Sequence, residues 1–458
     1  MSFSMEIFKS LREKVNWGLE RDRRQFLKEV DVIINDWDGP APDLRGIFRS
    51  EEIESLCHDF ITKSWPSDPF YYQGERFIRF MIVSGYKDEP EEDEKNGVTW
   101  LYRTTPIHLA ARHNCYFLVE YLFHIYYRLD VNYTDEDGLS HFHAACLTGR
   151  DRIVEKFLEL GQDPNVVWRE TGNTPLHLAL EYYQPRVITL LLNRGVHPNF
   201  ANRDGSTPLH LICKTQHFYK AARDPDLAEL FFKINEEIHH QKVEVDAVDR
   251  QGNTPLHLAA TFNNQHLIEL LLMRGANPNS ANAEGLTPLH FICKSGDASR
   301  VEMLFAFCFD IGKTVQIDAR DNQGWTPLQW AVSRLAMNVA NQLLDLGADM
   351  SGFVFPDESL FADHVEQWRD FDDFFKFKLG AGLLTCVEFL EQRGYRLDPS
   401  GAITIEKLFT KYGLFPERGD LETHWYDEEE FAIWVDGHDV LRLSPEESAQ
   451  CLSFLNQL

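Results

Sequence analysis

Thr174-Pro175-Leu176-His177-Leu178-Ala179 is the phrase that decides how this chain folds, because it occurs in seven versions. It reads Thr-Pro-Ile-His-Leu-Ala at Thr105–Ala110 and Ser-His-Phe-His-Ala-Ala at Ser140–Ala145. Thr-Pro-Leu-His starts again at Thr207, Thr254 and Thr287, and Thr-Pro-Leu-Gln at Thr326. The second residues are Pro106, His141, Pro175, Pro208, Pro255, Pro288 and Pro327, giving steps of 35, 34, 33, 47, 33 and 39. Thr is expected to cap a first helix through its hydroxyl, and Pro to start it with a preset φ and no N–H to waste. A second helix then carries apolar residues at i, i+3 and i+4 and ends in Gly, as in Ile188, Leu191, Leu192, Gly195 and in Ile268, Leu271, Leu272, Gly275. Another Gly, at 138, 172, 205, 252, 285 and 324, stands two residues before the Thr or Ser, where a hairpin turn needs it. No such unit can bury its apolar face alone, so the units must stack.

The composition is globular, 43% hydrophobic in 458 residues, and the formal net charge is −27. That charge argues against bulk attraction to nucleic acid or anionic membranes. It is uneven: residues 1–100 carry 14 basic and 21 acidic side chains, and residues 353–458 carry 9 and 22. Eight cysteines lie far apart with no C-x-x-C, which fits reduced thiols, no metal, and a cytosolic protein, with the nucleus left open. Cys146, Cys213 and Cys293 share one repeat position with Ala111, Ala260 and Val332, so they read as small core residues. The first 26 residues hold six cations and no apolar run, so no signal peptide is expected there. No stretch approaches a membrane span.

The chain divides into four expected regions. Residues 1–49 read as a helix followed by a turn at Gly39–Pro42. Residues 50–100 read as a helix pair, a degenerate N-terminal cap repeat with Ser50 as its first cap, then a solvated, mobile acidic loop at Asp88–Glu94. Residues 101–352 hold the seven repeats, and residues 353–458 an acidic helical C-terminal region. Within it, helices are expected near 359–379, 382–393 and 402–412, and another from Ser444. Thr174 to Thr254 and Thr207 to Thr287 are both 80 residues, which points to duplication of a two-repeat unit. Extra length at Lys233–Val245 and Phe307–Gln316 predicts longer outer helices or hairpins.

The phrase Thr-Pro-Leu-His-x-Ala at this period is the ankyrin signature, and residues 50–350 strongly resemble the ankyrin-repeat family. The resemblance implies an all-α solenoid of helix-turn-helix repeats with β-hairpin loops, and a binding function. Gly85–Pro90, Val131–Gly138 and Phe353–Pro356 are similar to phrases of insect, often parasitoid-wasp, ankyrin proteins. Many of those end in a PRANC segment, an F-box-like motif that docks ubiquitin-ligase machinery. No F-box or SOCS-box pattern stands out in residues 400–458, so an adaptor role through the C-terminal region is the alternative reading.

No P-loop, dinucleotide fingerprint, zinc-protease or nucleophile-elbow motif occurs, so no enzyme, cofactor or metal is expected. The repeat histidines read as structural, His239 and His240 as a solvated pair on a helix, and Arg396–Lys407 as an EF-hand mimic lacking the carboxylates calcium needs. In arrays of this kind the hairpin tips and first helices line the concave face. Tips here carry Trp168, Arg169, Arg203, Arg250 and Arg320; the helix side offers Tyr182, Tyr183, Lys214, Phe262 and Lys294. Arg, Tyr and Trp are common interface anchors, so the expectation is a monomeric scaffold for a protein partner of acidic character.

Overall fold

The computed structural model describes residues 2–37, 44, 47–63, 68–90, 102–218, 226–262, 264–369 and 375–412. The turn at 39–42, residues 91–94 of the acidic loop, the acidic run at 427–430, Cys451 and the helix expected from Ser444 lie outside them. The chain forms two compact units, Met1–Arg250 and Gln251–Leu458.

The first unit opens with two helices where one was expected, α1 (Ser2–Lys14) and α2 (Glu20–Asn35). They cover α3 (Ser50–Thr62) and α4 (Pro69–Val83). The N-terminal cations have a structural role: Arg12 bonds Glu52 through two hydrogen bonds at 2.8 and 2.9 Å. Arg23 reaches the fully buried Asp59 at 2.6 Å, and Arg76 grips the buried Asp31 at 2.7 Å. Phe26, Phe48 and Phe77 meet edge to face between them, with centroids 5.9–6.1 Å apart. Gly74 sits in α4 because a Cβ there would lie 2.3 Å from the buried Phe60 ring. Ser50 is not the cap of α3. Arg49 holds that place, its N–H bonded to Glu52, and Ser50 donates to Asp88 instead.

The repeats follow as pairs: α5 (Pro106–Arg112) and α6 (Tyr116–Ile125), α7 (His141–Leu147) and α8 (Asp151–Glu159), α9 (Pro175–Glu181) and α10 (Pro185–Asn193), α11 (Pro208–Phe218) and α12 (Asp226–Phe232). First helices pack in the order α3, α5, α7, α9, α11, and α4 packs on α6 as α8 does on α10. So α3 and α4 occupy the places of a repeat although they lack its phrase. The fourth pair has a longer outer helix, as its extra length predicted: α12 continues into a π-helical turn at Lys233–Ile238, and α11 is longer as well. His239 and His240 follow that turn rather than sitting on a helix, and His239 Nε2 bonds the Leu192 carbonyl at 3.0 Å.

The second unit repeats the plan with α13 (Pro255–Thr261) and α14 (Gln265–Met273), α15 (Pro288–Ser295) and α16 (Ala298–Asp310), α17 (Pro327–Ser333) and α18 (Met337–Asp345). At 13 residues α16 is the longer outer helix that the extra length predicted. Three helices continue the stack: α19 (Glu358–Arg369) on α17, with α20 (Phe375–Gln392) and α21 (Pro399–Tyr412) packed on α19 and on each other. The break expected near residue 380 is absent, and α20 runs through Gly380 and Gly382. A Cβ at Gly382 would stand 2.7 Å from Leu335 Cδ1, so the glycine there serves close packing and not a turn.

The repeat phrase works as a reciprocal cap in which His replaces the usual Glu. The Thr174 N–H donates to His177 Nδ1 at 3.3 Å and Thr174 Oγ1 lies 2.7 Å from the same nitrogen. Nδ1 therefore accepts, the ring proton sits on Nε2, and Nε2 donates to Ser206 O in the next repeat at 3.0 Å. His108, His143, His257 and His290 bond Tyr133, Val166, Leu286 and Trp325 carbonyls in the same way. Each His thus ties a helix start to the loop of its successor. The shared position of Cys146, Cys213 and Cys293 is fully buried, as the repeat implied. Leu271 is also fully buried, and Leu271→Ala is expected to cost about 2–5 kcal/mol in urea melts. Thr254→Ala, which keeps the backbone half of the cap, should cost only about 1 kcal/mol. A neutral Leu271→Ala would mean that this face of α14 is not core.

Candidate interaction face

The loops between repeats carry almost no strand, only isolated bridges at Tyr102, Thr134 and Ser140 among the described residues. Their shape comes from a side chain. Asp135, Asn202, Asn282 and Asp321 each place Oδ1 on two backbone N–H groups of the tip, and each N–H bonds the carbonyl four residues on. Trp168 takes that place in one loop and has no such acceptor. Its loop closes five residues on, from Trp168 N to Asn173 O at 2.9 Å, one residue more than in the other four.

Successive tips are locked together by backbone. Arg203 N donates to Thr171 O at 2.9 Å and Arg250 N to Asp204 O at 2.7 Å. The glycines make this approach possible: a Cβ on Gly172 would lie 2.6 Å from Arg203 N, and its φ is +74. Gly138 and Gly205 face Arg169 N and Arg250 N equally closely, at 2.9 Å. Arg203 and Arg250 therefore occupy one register on consecutive tips of the first unit; on the tip before them Glu170 N makes the matching bond, to Asp137 O at 3.1 Å, so Arg169 stands one residue earlier, and all three arginines are exposed. In the second unit the matching residues are Ala283 and Asn322, so Arg320 is not part of that register. Its guanidinium donates to Gly324 O at 2.8 Å instead.

The other candidates are placed as follows. Trp168 is half-buried beneath Arg112, whose guanidinium stands 5.2 Å from the ring and bonds Asp135, Asp137 and Glu170. The indole therefore lies in an acidic surround, and Arg112 is a residue that the sequence reading missed. Tyr182, half-buried, meets Tyr116 edge to face at 5.6 Å. Tyr183 holds φ +49 in the turn after α9, where the second and sixth repeats have Gly149 and Gly296. Lys214 is exposed on α11, and Arg250 reaches Asp204 at 3.9 Å. In the second unit Phe262 is half-buried, and the Lys294 ammonium stacks 4.2 Å over Trp330. Trp330 was also missed, and its indole N–H donates to Asp321 at 2.9 Å. The candidates thus fall in both units, and carboxylates lie beside several of their cations.

Burial shapes the titratable groups. Desolvation holds His108, His143, His177 and His290 down at about 4, and His141 well below its ordinary value. It pushes the thiols of Cys57, Cys146, Cys213, Cys293 and Cys386 far up, so none is a thiolate nucleophile. Among the described residues no group of three or more His, Cys, Asp and Glu could hold a metal, and no helix is long and apolar enough to cross a membrane.

The family model for ankyrin repeats (three copies) matches residues 73–167, 107–202, 142–224, 176–282 and 256–352. Human transient receptor potential cation channel subfamily A member 1 is 28% identical over 223 residues, 47% of this chain and 18% of that protein. The nuclear factor NF-kappa-B p105 subunit of Gallus gallus is 28% identical over 247 residues, covering 52% and 23%. A palmitoyltransferase of Lachancea kluyveri is 28% identical over 173 residues, covering 38% and 22%. The match therefore spans about a fifth of each relative's own length. The ankyrin repeat domain of Bcl-3 superimposes with a TM-score of 0.39 at 26% identity, over 47% of this chain and 90% of that one. Ankyrin repeats are protein-interaction modules, and with the family model matching more than half of its length this chain belongs to the ankyrin-repeat family.

Proposed function

We propose that the chain is a non-catalytic scaffold that captures an acidic protein segment along the hairpin tips of its first unit. The observation that carries this reading is the shared register of Arg203 and Arg250, each held by a backbone hydrogen bond to the preceding tip, with Arg169 exposed on the tip before them. Exposed cations on successive tips suit an extended acidic chain, and the partly exposed Tyr182 at the end of α9 supplies an aromatic anchor. Asp204 beside Arg250 weakens the field, so the partner must be strongly acidic and its association salt-sensitive.

The test is affinity capture by the full chain from a lysate, compared between wild type and Arg203→Glu/Arg250→Glu. The double variant should lose the acidic partner, with association slowed about tenfold and the circular-dichroism spectrum unchanged. Tyr182→Ala should cost about 2 kcal/mol of binding. Glu417→Lys, in the C-terminal region, should change nothing. If Glu417→Lys abolishes capture while the tip variants retain it, recognition belongs to the C-terminal region.

A further inference from the structure

A groove of about 570 Å³ lies on the second-helix side of the first unit, lined by α6, the start of α8 and Arg186 of α10. No hairpin tip contributes to it. Five cations reach it, Lys87, Arg150, Arg152, Lys156 and Arg186, against the two carboxylates Glu120 and Asp151. That sign opposes the −27 of the whole chain.

Part of the positive charge is already engaged. Arg150 donates to Glu120 at 2.6 Å and to Tyr116 O at 2.9 Å, yet its Nε is buried with no hydrogen-bond partner among the described residues. Arg186 meets Asp151 at 3.3 Å while 86% exposed, a contact of little worth in water. Lys87 donates to the His124 carbonyl and stands 5.4 Å over the Tyr127 ring. Arg152 and Lys156 are exposed and make no ion pair among the described residues. Apolar surface accompanies them, the buried Phe123 and the half-exposed Tyr127.

We propose that this groove binds a short acidic peptide segment bearing an aromatic residue, at a surface separate from the hairpin tips. Carboxylates of the segment pair with Arg152 and Lys156, and its ring lies on Tyr127 beside the Lys87 ammonium. A short segment fits because charge acts over roughly one Debye length, about 8–10 Å, so a ligand confined to the groove meets mainly its cations. A membrane or a nucleic acid would also face the acidic remainder of the chain.

The proposal is tested by fluorescence anisotropy on the full chain. The probe is a labelled peptide of about a dozen residues, glutamates around one phenylalanine, with the glutamine version as control. Wild type should bind the acidic probe saturably and at least about tenfold more tightly than the control. Arg152→Glu/Lys156→Glu should weaken binding about tenfold or more and leave the melting temperature unchanged, since both side chains are exposed. Arg203→Glu/Arg250→Glu should leave it intact. Equal binding by wild type and Arg152→Glu/Lys156→Glu overturns the proposal. Loss in the tip variant alone also overturns it, while leaving the tip reading standing. Capture by phosphatidylserine vesicles without binding of the peptide would make the groove a lipid site and overturn it too.

Discussion

Acidification from pH 7.5 to 4.5 is expected to unfold the repeats, with the loss of stability concentrated between pH 6.5 and 4. His108, His143, His177 and His290 are buried with both ring nitrogens engaged. Nδ1 accepts a backbone N–H, so a second proton has no place without breaking the helix cap. Burial accordingly holds them at about 4. An unfolded His titrates near 6.5. Between these values the unfolded chain binds more protons, so stability is complete above about pH 6.5 and falls as the pH drops. Each group is worth up to about 3 kcal/mol, and four together match the whole stability of an ordinary domain, roughly 5–15 kcal/mol. Glu54 acts in the opposite sense, since burial lifts it to about 7, but it is one group against four.

The chain contains its own control for this effect. Gln329 replaces the His in the last repeat and makes both bonds without titrating: its Oε1 accepts Thr326 N–H at 2.8 Å and its Nε2 donates to Val354 O at 2.9 Å. His143→Gln/His177→Gln/His290→Gln should therefore fold at pH 7.5 and move the acid midpoint down by about half a unit or more. Circular dichroism across pH, with urea melts at pH 7.5 and 5.5, measures this. An unchanged midpoint in the triple variant would show that the histidines do not control acid unfolding.

Arg103→Met is expected to destabilise the first unit by about 3–5 kcal/mol, because it strands the buried Asp88 carboxylate and removes the partner of the half-buried Glu54. Asp88 is 3% exposed, and it accepts from Arg103 at 3.1 Å, Ser50 at 3.1 Å and Tyr133 at 3.3 Å. Glu54 lies 2.5 Å from the same guanidinium, and burial pushes Tyr126 beside it well above its ordinary value. This cluster joins α3 to the first two repeats. Adding Glu54→Gln and Asp88→Asn to Arg103→Met should recover most of the loss, as neutral groups need no counter-charge. Urea melts at pH 7.5 check both. A cost below about 1 kcal/mol for Arg103→Met would mean that the cluster is hydrated.

Asp88 also shows where sequence reading stops. As the first residue of an acidic run, it reads as solvent-facing, and only its approach to Arg103 makes it a buried partner. The same limit applies to Arg112 over Trp168 and to Gly382 against Leu335, where the partners lie tens of residues apart. Local chemistry, in contrast, is legible within the repeats. The Thr-Pro-Leu-His phrase, the tip glycines and the shared Cys position each describe one backbone site, and each takes the conformation or burial that its residue type requires.

The sequence by itself determined the class of fold, the number of repeat phrases and the identity of the core positions, because a repeat encodes its nearest-neighbour contacts again in every unit. Tertiary structure decided the rest. Arg203 and Arg250 fall into one register while Arg169 and Arg320 do not, because that alignment is set by backbone bonds between loops of unequal length. Five cations meet in one groove because α6, α8 and α10 bring together residues 87, 150, 152, 156 and 186. A charge has no periodic signature of its own, so its neighbours become known only when the units are stacked.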